Sequence, residues 1–348
     1  MFTEQFLYKI KTLKKRGLLP SKFSGPVMIS WDITNKCNFN CIFCFNNSGE
    51  FKKENLSRNE IRLITKNIIK LRPFWVCICG GEPLLRRELF EVVQLLSKDN
   101  IQVSMVSNGW FIDQNKSKLG GGGGGGGVQI SLDGCKPETH DLLRGIKGSY
   151  FRAIKAIDYL VKEEINVDIA FCPTKLNYKE IGGVVDIAVN LGVKSVRTQP
   201  LMILGRGLLN KIFLSLNENE EKEFLLLIKN KQEEYMEDIQ ITYGNPLVHF
   251  YTFRHLPCLF LHITPSGNIK ISPYIPIIFG NILKGDIKKL WKELINSWKK
   301  KAVLNYIDDI RSVWDFEKKG IVTGLNEDVN IEELENGETS YENYTKIG

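Results

Sequence analysis

The sequence CNFNCIFC occupies residues 37–44 and closely follows an apolar run at residues 27–33. It places Cys37, Cys41 and Cys44 at C-x3-C-x2-C spacing, so one loop can present three thiolates to a metal centre. Thiolates are the usual protein ligands of iron–sulfur clusters. Three cysteines fill three corners of a four-iron cluster, and the fourth iron is left for a ligand from outside the chain.

A structural zinc ion is the alternative for these thiols. Zinc in structural sites takes four tetrahedral ligands, commonly supplied by two short ligand pairs. After Cys44 the chain has neither another C-x2-C pair nor an H-x3-H pair. The pattern therefore favours an iron–sulfur cluster, with zinc kept as the alternative.

The composition is that of a globular protein. The chain of 348 residues is long enough to bury a core, and it is 43% hydrophobic and 25% charged. No apolar run is long enough to cross a bilayer, and residues 1–15 lack the apolar stretch of a signal peptide. Eight cysteines, three of them clustered, fit a reducing compartment better than a disulfide framework. We therefore predict a cytoplasmic protein without membrane contact.

The net charge of +7 is unevenly distributed. Residues 326–348 carry seven acidic side chains and one lysine, so the first 325 residues carry 46 basic and 33 acidic ones. A basic body attracts acidic peptides or nucleic acids. Since no basic stripe with interleaved aromatics stands out, we interpret the charge as solvated surface and expect no nucleic-acid partner. The acidic end is either a disordered solubility tail or a lid over the basic body, and we favour the tail because clustered glutamates with few aliphatic residues bury little.

Apolar segments alternate with helical patterns over the first 200 residues. A capping box, Ser57-x-x-Glu60, opens the first predicted helix at residues 57–71. Such alternation implies parallel strands with right-handed crossovers. It predicts an α/β fold, a partial (β/α)6 TIM-like barrel with a small C-terminal α+β extension, whose apolar strands shield the interior from water. The six predicted strands are residues 27–33, 74–79, 102–107, 128–132, 167–171 and 195–200.

The predicted domain boundaries follow from this pattern. They are an N-terminal extension (1–26), the barrel (27–215), the C-terminal extension (216–325) and the acidic tail (326–348). A run of eight glycines at residues 120–127 interrupts the approach to the fourth strand, and we assign it no function.

Short motifs follow three of the predicted strands, where parallel barrels place their chemistry. Gly80-Gly81-Glu82-Pro83 ends the second strand, Ser107-Asn108-Gly109 the third, and Ser131-Leu132-Asp133-Gly134 the fourth. Each alone is an ordinary turn. In the first motif the glycines permit close approach to a ligand, and Glu82 can accept a hydrogen bond from an ammonium group.

In this order, the cysteine triad and these motifs resemble the radical SAM superfamily over residues 27–207. The resemblance implies a single [4Fe–4S] cluster on Cys37, Cys41 and Cys44, with S-adenosyl-L-methionine on the open iron. It further implies reductive cleavage to a 5′-deoxyadenosyl radical that removes hydrogen from a substrate carbon. The electron would come from an external donor such as flavodoxin or ferredoxin.

The resemblance also implies contacts to S-adenosylmethionine. The element Gly80-Gly81-Glu82 corresponds to the one that contacts the methionine amino group. The segments that contain Asn108, Ser131 and Arg144 correspond to the elements that bind the ribose and the carboxylate. For the adenine, the resemblance implies the backbone of Phe43 and packing by Leu204.

Other polar residues near the motifs have two interpretations. Cys77 and Cys79 share one face of the second strand, and Cys79 immediately precedes Gly80. Cys79 is a candidate hydrogen donor, although a buried free cysteine usually serves as a small hydrophobe. Asp133 is either a base or the cap of a turn.

The C-terminal third resembles the start of a SPASM extension, which occurs on radical SAM enzymes that modify peptides. Ser272 stands where that extension has a cysteine, and no cysteine follows Cys258. We therefore predict no auxiliary cluster. Without the resemblance, the same segment is a β-hairpin at residues 264–268 followed by a helix. The residues that carry the resemblance are Cys258, Gly267, Ser272, Gly280, Asn281, Ile282, Leu290 and Trp291.

Three functions remain open at this point. The leading hypothesis is modification of a ribosomally made peptide by cross-linking, epimerisation or a related change. The second is radical chemistry on a small molecule in cofactor or metabolite biosynthesis. The third is a non-catalytic iron–sulfur redox sensor.

Overall fold

A computed structural model describes residues 12, 15–17, 23–52, 56–114, 126–255, 259–319, 322–325 and 327–336. Six strands pair in parallel and in chain order, which confirms the predicted α/β barrel fold. They are β1 (Met28–Asp32), β2 (Trp75–Cys79), β3 (Gln102–Ser107), β4 (Gly127–Ser131), β5 (Asn166–Phe171) and β6 (Ser195–Thr198).

Helices connect these strands and cover the outside of the sheet. They are α1 (Arg58–Leu71), α2 (Leu89–Lys98), α3 (Pro137–Arg144), α4 (Ser149–Lys162) and α5 (Ile181–Asn190). The predicted capping box is present, because Ser57 accepts from Glu60 N and the Glu60 carboxylate accepts from Ser57 N. Ile29 and Trp31 of β1 are fully buried in one apolar cluster with Ile61 and Ile64 of α1.

Two further parallel strands, which the sequence did not predict, extend the sheet. β7 (Gln240–Tyr243) pairs with β6, and β8 (Phe260–Ile263) pairs with the other edge of β1. β9 (Asn268–Lys270) and β11 (Gly280–Asn281) add antiparallel strands. Over the described residues the sheet has ten strands, in the order β11-β9-β8-β1-β2-β3-β4-β5-β6-β7. The helices between β6 and β8 are α6 (Gly205–Leu209), α7 (Lys211–Leu214), α8 (Glu218–Glu234) and α9 (Val248–His255).

The β-hairpin expected at residues 264–268 joins β8 to β9. Thr264 N donates to Asn268 O at 2.9 Å, and Gly267, at φ +78°, closes the turn. The C-terminal part adds β10 (Ile277–Ile278) paired with β12 (Val329–Asn330), and α10 (Ile287–Ser297), α11 (Lys301–Ile307) and α12 (Ile331–Glu335). The disordered-tail interpretation is wrong for residues 327–336, because β12 pairs with β10, Val329 and Ile331 are buried, and Asp328 pairs with Lys270. The predicted domain boundaries stay predictions. Of the eight glycines, only Gly126 and Gly127 are among the described residues, and β4 begins at Gly127.

The inner face of the sheet is largely polar, so the expectation of an apolar interior is wrong. Alternate residues of a strand face opposite ways, and the apolar ones, such as Val76 and Ile78, pack against the helices. Their neighbours therefore face inward. The polar inner positions are Ser30, Asp32, Cys77, Cys79, Ser104, Gln129, Ser131, Asp168, Arg197, Thr242, His262 and Lys270.

No helix within the described ranges combines the length and the apolar character that crossing a membrane requires.

Candidate active site at the carboxyl ends of the strands

The loop after β1 holds the three cysteines of the C-x3-C-x2-C pattern. Cys37 and Cys41 are 8% exposed, and Cys44 is half-buried. Phe39 lies between the first two and packs edge-on against Trp110, at a ring distance of 5.7 Å. The loop therefore gathers the thiols under an apolar cover at the mouth of the barrel.

The donor set fits a four-iron cluster. Each thiolate of such a cluster binds a different iron, and the thiols of Cys37, Cys41 and Cys44 lie close enough to act on one another electrostatically. Burial raises the pKa of Cys37 to about 12 and also raises that of Cys41. Coordination to iron offsets this cost, since the thiolate is the metal-binding form.

Helix α6 holds this loop from the far side, through residues that the sequence reasoning missed. The Arg206 guanidinium donates from Nε to Cys41 O at 2.7 Å and from Nη1 to Ser48 O at 2.8 Å. Arg206 N donates to Cys44 O at 2.9 Å, and Asn210 Nδ2 donates to Ile42 O at 2.9 Å. The backbone of the cysteine loop is thus bonded to a segment about 160 residues later in the chain.

The sequence does contain a signal for this contact. Arg206 lies between Gly205 and Gly207, and a Cβ at Gly205 would lie 2.3 Å from Phe45 O. Gly324 also approaches this atom, since a Cβ there would lie 2.2 Å from Phe45 O. Glycines on both sides of an arginine, in the segment after β6, are consistent with a close approach of backbone to backbone.

The glycines of the Gly80-Gly81-Glu82 motif admit the chain's own backbone. Gly81 N donates to Thr34 O and Glu82 N donates to Lys36 O, both at 2.8 Å. A Cβ at Gly80, which has φ +128°, would lie 2.3 Å from Thr34 O, and one at Gly81 would lie 2.0 Å from Lys36 O. The motif therefore fixes the residues that lead into Cys37.

Glu82 is fully buried and connects β2 to β3. Its carboxylate accepts from Ser107 Oγ at 2.9 Å, from Asn108 N at 2.8 Å and from Leu84 N at 3.2 Å. Burial raises the pKa of Glu82 to about 7, while these hydrogen bonds lower it. A carboxylate has about four lone-pair sites, of which these bonds use three. Its contact with an ammonium group stays a prediction.

Asn108 braces the cysteine loop. Its Nδ2 donates to Asn38 Oδ1 at 2.9 Å and lies 3.9 Å from Cys37 Sγ. Its Oδ1 accepts from Trp110 N at 2.9 Å. The side chain therefore stands beside the first cysteine.

Arg144 and Asp133 form a buried ion pair beside Cys41. Arg144 Nη2 contacts Asp133 Oδ2, and Arg144 Nη1 lies 3.7 Å from Cys41 Sγ. The guanidinium also stands over the Phe43 ring, 5.1 Å from its centroid. Burial raises the pKa of Asp133, whereas Arg144 lowers it. Asp133 also accepts from Cys172 N at 2.7 Å, as the turn-cap interpretation expected.

Ser131, Leu204 and the backbone of Phe43 are the remaining predicted contacts to the cofactor. Ser131 ends β4 half-buried on the inner face. Leu204 is fully buried in the core just before α6, and a Cβ at Gly207 would lie 3.4 Å from Phe43 O. Their roles stay predictions.

Asp32 and His262, which the sequence reasoning also missed, lie on the inner face near Cys79. Asp32 Oδ2 accepts from Asn46 Nδ2 at 3.0 Å and lies 3.6 Å from His262 Nε2. Burial raises the pKa of Asp32 to about 7 and lowers that of His262. Cys77 Sγ and Cys79 Sγ are 3.4 Å apart. The inward face of the neighbouring strands β8, β1 and β2 therefore combines an imidazole, an acid and two thiols.

The SPASM-like segment contains a serine engaged in the fold. Ser272 is fully buried, and its Oγ accepts from Tyr274 N at 3.2 Å. Cys258 lies outside the described residues. The prediction of no auxiliary cluster stays a prediction.

Comparisons with known proteins agree with this geometry. The family model described as the radical SAM superfamily matches residues 31–188. The Fe-coproporphyrin III synthase of Methanosarcina barkeri is 28% identical over 64% of this chain and 56% of its own length. The mycofactocin maturase MftC of Mycolicibacterium smegmatis is 29% identical over 56% of this chain and 48% of its own length. The matched part thus spans about half the length of these two relatives.

The fold also matches a solved structure. The crystal structure of Streptococcus suis SuiB bound to S-adenosylmethionine covers 89% of this chain and 73% of SuiB, with a TM-score of 0.63 at 14% identity. The superfamily uses a [4Fe–4S] cluster and S-adenosylmethionine. From the family match, the fold and the thiol-bearing loop together, the chain is an enzyme with a radical SAM domain at residues 31–188.

Proposed function

We propose that this enzyme removes a hydrogen atom from a carbon of a ribosomally made peptide. When bound, the cluster and S-adenosylmethionine supply a radical strong enough to break an unactivated C–H bond. A maturase among the relatives supports a peptide substrate.

In this proposal Cys37, Cys41 and Cys44 hold the cluster. Arg206 and Asn210 fix the loop backbone that carries them, through the carbonyls of Cys41, Ile42 and Ser48. Asn108 and Arg144, which lie beside Cys37 and Cys41, border the position of S-adenosylmethionine. Their hydrogen bonds orient the cofactor without moving protons.

In this proposal the polar inner face of the sheet determines which substrate binds. It offers hydroxyl, amide and carboxyl groups, which suit the amides of a peptide backbone. Its two cations are already paired, Arg197 Nη2 with Asp168 Oδ2 at 2.9 Å and Lys270 Nζ with Asp328 Oδ1 at 2.9 Å. A substrate with several carboxylates would bury them without partner cations, which is costly.

A tetrapyrrole is the second candidate, because Fe-coproporphyrin III synthase is among the relatives. Coproporphyrin carries several propionate groups. Its binding would therefore require the pairs of Arg197 and Lys270 to open.

Anaerobic reconstitution with iron and sulfide, followed by dithionite and S-adenosylmethionine, tests the proposal. We expect 5′-deoxyadenosine from the wild type and from Cys135→Ala, a control thiol outside the motif, but none from Cys37→Ala. Failure of the wild type to form 5′-deoxyadenosine would favour the redox sensor.

The substrate class is tested with peptides encoded by short reading frames beside the gene and, separately, with Fe-coproporphyrin III. A mass change in a peptide that requires S-adenosylmethionine and Cys37 supports the proposal. Conversion of Fe-coproporphyrin III with unchanged peptides would replace it with the tetrapyrrole candidate.

A further inference from the structure

Two thiols stand inside the barrel, away from the cysteine loop. Cys77 and Cys79 both face inward from β2, are half-buried, and bring their sulfurs to 3.4 Å. Among the described residues, Cys135 and Cys172 are the other cysteines outside the loop, and both follow strands rather than lie within one. The described thiols carried within the inner-wall strands are therefore this pair, whereas Cys172 lies just past β5, beside Asp133, Arg144 and Cys41.

Position distinguishes the two thiols. Cys79 is the last residue of β2 and directly precedes Gly80, whereas Cys77 lies about 6.6 Å deeper along the strand. Chemistry in a parallel barrel takes place at the carboxyl ends of the strands. Cys79 is thus the thiol nearer to the proposed position of S-adenosylmethionine and substrate.

An acid stands next to Cys79. Asp32 is its register partner on β1, and neighbouring strands lie about 4.8 Å apart. Asn46 of the cysteine loop and His262 of β8 hold the Asp32 carboxyl group in place. The burial that raises the pKa of Asp32 to about 7 keeps a proton available on it near neutral pH.

We propose that Cys79 is a hydrogen-atom donor to carbon radicals in the chamber and that Asp32 reprotonates it. This inference rests on the proposed function. The S–H bond of Cys79 breaks as a C–H bond forms on the substrate carbon, and a thiyl radical remains. One electron from the external low-potential donor and one proton from Asp32 restore the thiol.

The consequence is a substrate that leaves with a solvent-derived hydrogen. Abstraction by the cofactor radical and return from Cys79 replace the original hydrogen without oxidising the substrate. Among the peptide changes considered, this outcome corresponds to epimerisation rather than cross-linking. Cys77 acts as a positioning residue that packs against the Cys79 sulfur.

Turnover in D2O without added peptide tests the donor directly. The Cys79 thiol exchanges to S–D, and with no substrate present its deuterium can be taken by the cofactor radical. We expect dithionite and S-adenosylmethionine to yield 5′-deoxyadenosine with one deuterium. Cys79→Ser has a similar size but a much stronger O–H bond, so the label is lost, whereas Cys77→Ala, Cys135→Ala and Cys172→Ala keep it.

Thiol alkylation provides a readout that does not depend on turnover. In the reconstituted protein, N-ethylmaleimide labelling of Cys79 should fall when S-adenosylmethionine is added, while labelling of Cys135 should not change. Unchanged deuterium in both Cys79→Ser and Cys79→Ala, or no protection of Cys79, would overturn the proposal. Absence of 5′-deoxyadenosine from the wild type would instead contradict the proposed function.

Discussion

Replacement of Arg206 by alanine should weaken cluster retention more than it weakens the fold. The substitution removes three side-chain hydrogen bonds, to Cys41 O, Asn47 Oδ1 and Ser48 O, at 2.7–2.9 Å. Each such bond contributes about 0.5–1.5 kcal/mol net, so the cysteine loop loses about 3 kcal/mol of ordering energy. Since about 1.4 kcal/mol corresponds to a factor of ten, the open loop becomes roughly a hundred times more populated.

The assay measures the rate of anaerobic iron release to a chelator, monitored by the absorbance of the iron–chelator complex. If opening of the loop precedes release, Arg206→Ala should release iron about a hundred times faster, within the range of that energy. Arg206→Lys keeps the charge but not the three bonds, so its rate of iron release should lie between those of the wild type and of Arg206→Ala. Arg58→Ala is the matched control, because its arginine is exposed and pairs only on the surface, with Glu91. Iron release from Arg206→Ala at the rate of the wild type and of Arg58→Ala would refute this reasoning.

Three further predictions concern the ligands, a glycine and a histidine. Cys37→Ala, Cys41→Ala and Cys44→Ala should each lose the visible absorbance of the cluster after reconstitution, and Cys135→Ala should keep it; retention in any triad variant counts against the assignment. Gly324→Ala should lower the free energy of unfolding by roughly 3 kcal/mol more than Gly285→Ala, because both have positive φ but only Gly324 meets another atom, Phe45 O; equal chemical denaturation curves would contradict this. Burial lowers the pKa of His140 to about 3, so the unfolded state binds a proton that the folded state does not as pH falls below 6.5. Cluster-free wild type should therefore lose up to about 1.4 kcal/mol per pH unit relative to His140→Gln between pH 6 and 4, measured by urea unfolding; a constant difference would be inconsistent with a neutral buried histidine.

Local signals predicted the six central strands and the capped first helix. The apolar runs around Ile29 and Val76 were readable because each strand packs one face on a helix, and the Ser57–Glu60 box acts over three residues. The cysteine loop was equally local, since its ligands lie within eight residues. Such features depend on neighbours in the sequence.

Features that depend on residues distant in the sequence could not be predicted from it. β7 and β8 lie beyond the first 200 residues, after the strand–helix alternation that predicted the other strands has ended, and they are defined by pairing with β6 and β1. The contact from Arg206 to the cysteine loop spans about 160 residues. The polar inner face escaped notice because strands such as WVCIC look apolar until Cys77 and Cys79 are assigned to the interior.

The distant bonds on the cysteine loop also set the timing of maturation during synthesis. Arg206 and Asn210, which donate to the loop carbonyls, are translated about 160 residues after the loop, roughly 8–32 s later at ordinary ribosomal rates. Until then the loop lacks the groups that hold its carbonyls in place. Metal delivery to the nascent chain before that point would therefore meet an unfinished receptor.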